Sequence, residues 1–197
     1  MRRFVSGGRI GGVGIHIHWT LLVACALILL GSLQSLAHAA GAAIALLAYF
    51  AAVLLHEWGH VVVARRRMCQ VFGIELYPFV GLTRFQNPRT RFDHCLIAWA
   101  GVVFQGAVGL PMLLWITLVG YTTLEVVNAF MAVFSFLTVV MVLLNLMPIP
   151  PLDGAVAWGI VPLLFRRLRE RHRGRSTGWN SLDNRDAAQQ GDEADER

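Results

Sequence analysis

The sequence predicts an all-α polytopic membrane protein. It has about four transmembrane helices, a broken fourth helix and a short membrane-edge β-hairpin. Three observations carry this. Hydrophobic residues make up 56% of the 197 residues and charged ones only 15%, where a soluble domain has about a quarter of its residues charged. Four stretches approach the roughly 20 apolar residues that a helix needs to cross the hydrocarbon. The 17 basic residues are all arginine and lie outside these stretches.

The first span runs over residues 18–36 and ends in the polar stretch 32–38. The second covers 42–64 and stops at Arg65-Arg66-Arg67. The third covers 95–119, and the fourth covers 125–146, where Pro148, Pro150 and Pro151 break it. A proline removes a donor and disfavours helix at the residue before it, so 145–152 is expected to be extended. Non-helical backbone at membrane depth is tolerated where protein buries it or where it lines a watery cavity. The break therefore points to function, a simple kink being the plainer alternative. A shorter apolar piece, 155–165, follows.

Between residues 68 and 94 the chain is too long and too apolar for a plain connector. Residues 70–76 and 80–85 are rich in β-branched and aromatic side chains, with Pro78 and Gly81 as punctuation, and read as two short strands. The Gly-Gly pairs at 7–8 and 11–12 read as a flexible arm. From Gly174 onward the residues are too polar to bury a core. Three segments result: a cytosolic amino-terminal arm (1–15), a transmembrane core (16–165), and a tail (166–197) that is basic and then disordered.

Charge and cysteines narrow the function. A formal charge of +5 invites a nucleic-acid reading. The arginines instead form blocks at 2–9, 65–91 and from 166 onward, as the positive-inside bias produces at helix ends. The loops at 37–41 and 120–124 carry none. Four crossings with both termini cytosolic place every arginine inside, with the lipid bilayer as the surrounding partner and no nucleic acid. Cys25, Cys69 and Cys95 form no CxxC pair and read as packing residues. No cleavable signal peptide is expected, since the first apolar run is too long for one.

The second span contains His56-Glu57-Trp58-Gly59-His60, an HExxH motif. Residues four apart share a helix face, so both imidazoles reach one zinc ion while Glu57 is placed as general base. Polar groups in hydrocarbon are costly and are functional by default. His60 lies five residues before Arg65, about 7–8 Å from the arginine-bearing end, and His56 about 13–14 Å. Catalytic zinc takes three protein ligands and keeps an open position. Outside the basic blocks, the carboxylates in or beside spans are Glu57, Glu125 and Asp153. Glu125 belongs to the opposite end of the fourth span, which leaves Asp153 as third ligand. Asp153 also suits the N-cap of a helix starting at Gly154, and the two roles are compatible.

HEWGH in a membrane helix resembles the site-2 protease family of intramembrane zinc metalloproteases. So does Asn145-Leu146-Met147-Pro148-Ile149-Pro150-Pro151-Leu152-Asp153-Gly154 about ninety residues later. The likeness covers residues 10–165, and it implies a member without PDZ or CBS modules. It implies one Zn2+ per chain, a transmembrane protein as substrate, multi-pass residence in the cell membrane and an active site opening toward the cytosol. Relatives carry a third-helix motif ending in Asn, where this chain has Ala100-Gly101-Val102-Val103-Phe104-Gln105. Gln105 is the candidate to keep that residue's hydrogen-bonding role toward substrate. Asn145 is a candidate for holding substrate backbone or the oxyanion, or else for bonding to the broken helix. The strands at 70–85 suit capture of an unwound substrate by β-augmentation.

His16 and His18 read as interface residues, and His38, His94 and His172 as solvated. The rivals are a catalytically silent adaptor for transmembrane segments and a small metal transporter. Intact Glu57 and Asp153 argue against the first, and apolar outer halves of the helices against the second. Substrate identity, a regulatory membrane partner and a homo-oligomer are left open.

Overall fold

The computed structural model describes residues 4–169. It divides into two units, Met1–Trp158 and Gly159–Arg197. In the second unit the described residues are helical over 160–169, and the tail expected to be disordered lies outside the described residues. The rest of the description concerns the first unit.

The amino-terminal arm has regular structure. It forms a hairpin of strands β1 (Phe4–Ile10) and β2 (Val13–His18) joined by Gly11 and Gly12. Both glycines have positive φ, 53° and 80°, as a two-residue type I′ turn requires. The pair that reads as a flexible arm is therefore a tight turn. Val13 and Ile15 are buried on alternate positions of β2, with Ile17 packed beside them. This period of two marks a strand with one face on the core.

β2 leads directly into helix α1 (Trp19–Gly31), and Ser35 caps helix α2 (Leu36–Arg66) by accepting from the His38 N–H. The turn thus falls at 32–35 rather than in the expected loop at 37–41, because a serine N-cap starts the helix inside the polar stretch. α2 is followed by β3 (Val71–Leu76) and β4 (Gly81–Phe85). The sheet order is β1-β2-β3-β4, with β2 parallel to β3. The membrane-edge hairpin expected from the sequence is therefore half of a four-stranded sheet.

The sheet lies along the carboxyl-terminal half of α2. Tyr49 Oη donates to Pro78 O at 2.9 Å, and Arg65 Nη1 donates to Gly11 O at 2.8 Å. Gly11 abuts the Trp58 ring so closely that no Cβ would fit. Val53 and Val61 of α2 bury against Ile74 and Leu76 of the sheet. This arrangement explains the shortness of α1. Its 13 residues span about 20 Å, less than the roughly 30 Å hydrocarbon core. Six strand residues of β2 add about 20 Å in series, nearly matching the ~46 Å of α2.

Helices α3 (Arg91–Leu118) and α4 (Glu125–Asn145) complete the bundle, and a one-turn helix α5 (Gly154–Ala157) follows the prolines. Among the described residues, α2, α3 and α4 are long and apolar enough to cross a membrane. Small residues bring them together, as expected where lipid supplies no hydrophobic drive between helices. A Cβ on Gly59 of α2 would stand 2.9 Å from the Ala100 carbonyl carbon of α3. Gly109 of α3 meets Thr138 of α4 just as closely. The fold is mostly helical with one small sheet, in a multi-pass membrane protein.

Candidate metal centre

α2 brings His56 and His60 to one face, one turn apart, at 3% and 6% exposure. The chain leaves α4 through the proline segment, and Gly154 permits a tight return. A Cβ there would stand 2.6 Å from the Leu146 carbonyl oxygen. The return delivers Asp153 to the same place. His56 Nε2 lies 2.9 Å from Asp153 Oδ2, His60 Nε2 lies 3.2 Å from it, and the two Nε2 atoms are 3.1 Å apart. Asp153 heads α5 but makes no side-chain capping bond, so its carboxylate goes to the histidines.

The opposite ring nitrogens decide what these atoms are. His60 Nδ1 lies 2.7 Å from Ile97 O, which can only accept. His56 Nδ1 lies 3.2 Å from Gln105 Oε1. Each Nδ1 therefore carries a proton and donates outward, so that each ring, when neutral, presents a lone pair at Nε2. Two lone pairs and a carboxylate oxygen then face one another without a donor among them. Protonating both rings instead would set two imidazolium edges 3.1 Å apart. A cation resolves the conflict. Ligands on a tetrahedral zinc ion at 2.0–2.1 Å stand about 3.3 Å from each other, close to the spacings found. These three residues are the group of potential metal ligands among the described residues, and the donor set fits zinc.

Glu57 is 4% exposed and accepts a bond from Thr83 Oγ1 at 2.6 Å. His56, Glu57, His60 and Asp153 line a cavity of about 350 Å3, walled by Phe79 to Thr83 on one side and by Met141 and Leu144 on another. Asn145 lines it too, while its Nδ2 donates to Met141 O at 3.0 Å. The structure places Gln105 elsewhere than the sequence suggests. It is 0% exposed, sits behind His56 and is not part of the cavity wall. Its longer side chain reaches the imidazole, with Nε2 toward Met141 Sδ at 3.3 Å. Orienting His56 is a task of the kind that fixes a ligand's tautomer. His94 is exposed, as expected, and stands at the cavity. His172 lies outside the described residues.

Sequence reasoning passed over Gly101, Thr83 and Tyr49. A Cβ on Gly101 would stand 2.6 Å from both His56 Nε2 and His60 Nε2, so only glycine leaves room at the centre. Its place in an Ala-Gly pair of the third span was the one available signal.

Among the described residues, three apolar helices accompany a His-His-Asp cluster beside the Glu57 carboxylate, a donor set suited to a metal ion. A scan against protein-family models finds no match. The chain is 32% identical over 172 residues to "Putative zinc metalloprotease Rip3" of Mycobacterium tuberculosis, strains Erdman and H37Rv. That alignment covers 78% of this chain and 42% of the relative, so the chain spans under half the length of the curated relatives it matches. The fold matches the site-2 protease from Methanocaldococcus jannaschii with a TM-score of 0.60 at 23% identity, over 79% of this chain and 69% of that one. The chain is thus similar in sequence to a putative zinc metalloprotease and in fold to a site-2 protease.

Gly101→Ala is expected to lower zinc content well below one per chain while the helices persist, by elemental analysis and circular dichroism of purified protein. Full zinc content in that variant would contradict the placement of the centre.

Proposed function

We propose that this chain is an intramembrane zinc metalloprotease that hydrolyses peptide bonds in or near transmembrane segments of membrane proteins. The observation that carries the reading is the convergence of His56, His60 and Asp153 in one cavity with Glu57. His56, His60 and Asp153 would hold one zinc ion. When bound, zinc polarises a scissile carbonyl and acidifies water.

The chain's own residues supply the rest. Glu57 takes a proton from the attacking water as the new C–O bond forms. It returns the proton to the amine nitrogen as the C–N bond breaks. Gln105 and the Ile97 carbonyl keep the imidazoles in the tautomer that binds metal. A substrate helix hides its carbonyls in its own hydrogen bonds and must unwind before attack. β4 is an edge strand beside the cavity, which suits pairing with such an unwound segment. Asn145 lines the cavity wall and would meet substrate backbone through its Oδ1, its Nδ2 being bonded to the helix at Met141 O.

Arg65 and Arg66 close α2 at the end nearest His60. By the positive-inside bias this end, and the cavity mouth with it, faces the cytosol.

Glu57→Gln keeps size and hydrogen bonding but cannot take a proton. It is expected to retain about one zinc per chain and to lose about 10²–10⁴ in cleavage rate. The probe is a single-span apolar peptide carrying proline near its arginine-flanked end. Wild-type rate in the zinc-loaded variant contradicts the mechanism. A wild type that binds such peptides and cleaves none supports an adaptor instead.

Single cysteines at Leu33 and Thr122, in a chain otherwise free of cysteine, are expected to react with an impermeant maleimide from outside intact cells. Labelling only after lysis would reverse the orientation.

A further inference from the structure

β4 touches the site at a second point, and the reading above leaves that contact without a task. Thr83 is 8% exposed, and its Oγ1 stands 2.6 Å from Glu57 Oε2 and 3.2 Å from the Glu57 carbonyl oxygen. A hydroxyl has one hydrogen, and the shorter contact to the charged acceptor takes it. Such charge-assisted bonds are the strong ones. Gly81, two residues earlier on the same strand face, presses on the same side chain. A Cβ there would stand 2.6 Å from Glu57 Cγ and closer still to Oε1. One carboxylate oxygen is thus held by a hydroxyl, and the other is walled in by a glycine.

The same two residues turn their backbone to the open edge of the sheet. Tyr77 N–H donates to Val80 O at 2.9 Å, which sets the alternation of the antiparallel ladder. Gly81 opposite Leu76 and Thr83 opposite Ile74 are then the non-bonded pairs, whose N–H and C=O point away from β3. β4 has a neighbour in the sheet on one side only.

We propose that Thr83 is a positioning residue. Its hydroxyl holds the Glu57 carboxylate in the orientation for proton abstraction, and it links that orientation to the strand edge on which a substrate segment is laid. The proposal rests on the reading of Glu57 as general base. It adds a coupling, because occupation of the edge and alignment of the base run through one residue.

The test compares Thr83→Val, Thr83→Ser and Glu57→Gln as full-length, zinc-loaded chains on the same single-span peptide. Zinc content and thermal midpoint serve as folding controls. Thr83→Val keeps the shape and loses the donor. Its kcat is expected to fall about 10–100-fold, the range of a hydrogen bond to a charged group. KM should stay within about twofold, with zinc at the wild-type level. Thr83→Ser restores the donor and should recover most of kcat. A purely structural role would lower the thermal midpoint or zinc content of Thr83→Val along with its kcat. Wild-type kcat in Thr83→Val, or equal loss of kcat in valine and serine variants, overturns the proposal. If the valine variant does not fold, Thr83→Ala is judged by the same split. Glu57→Gln separates the two claims. Full activity there removes the general base itself, whereas an inactive Glu57→Gln beside a fully active Thr83→Val removes only the role of Thr83.

Discussion

Two imidazole nitrogens, with their outer nitrogens already donating elsewhere, and one carboxylate oxygen meet within 3.2 Å of one another. Without a cation this meeting costs energy, since two imidazole lone pairs and a carboxylate repel. Much of the fold serves to enforce it. The outer ring nitrogens are tied to Ile97 O and Gln105 Oε1, and Gly101 clears the space in front. The proline segment swings Asp153 back from the end of α4. The two-histidine helix is held at close range to α3 through Gly59 against Ala100. A site assembled under such constraint is pre-organised for metal, and the stabilisation returned by the ion offsets the repulsion.

The sheet is the second organising element. It runs along the half of α2 that bears the motif, from Arg65 at Gly11 to Tyr49 at Pro78. Polar backbone at that depth needs partners, and the inner strands β2 and β3 find them on both sides within the sheet. The β4 edge stays open next to Glu57. Under the proposed function an extended substrate segment would need the same hydrogen bonds, and the open edge would present it beside Glu57.

Several features were legible in the residues because their signals are local and chemical. HExxH at helical spacing, the proline break before Asp153 and the arginine blocks each speak for themselves. Other features depend on what the chain meets in space. The Gly11–Gly12 turn was legible in principle, since a glycine pair before alternating Val13, Ile15 and Ile17 is a hairpin pattern. Glycine pairs suit disorder equally well, so the pattern alone does not decide between arm and turn. α2 starts earlier than its apolar run because Ser35, within a polar stretch, caps it by accepting from the His38 N–H. Gln105 reads as a residue that meets substrate, yet its extra methylene carries it to His56. Thr83 has no sequence signal, because its importance comes from a neighbour 26 residues away.

X-ray absorption on the purified, zinc-loaded chain tests the metal centre most directly. The account predicts a first shell of two imidazole nitrogens and light oxygen donors at about 2.0–2.2 Å, with the multiple-scattering pattern of histidine. A sulfur shell near 2.3 Å would assign the metal to cysteines such as Cys69 or Cys95, and a shell without imidazole would remove His56 and His60. Either result would contradict the account.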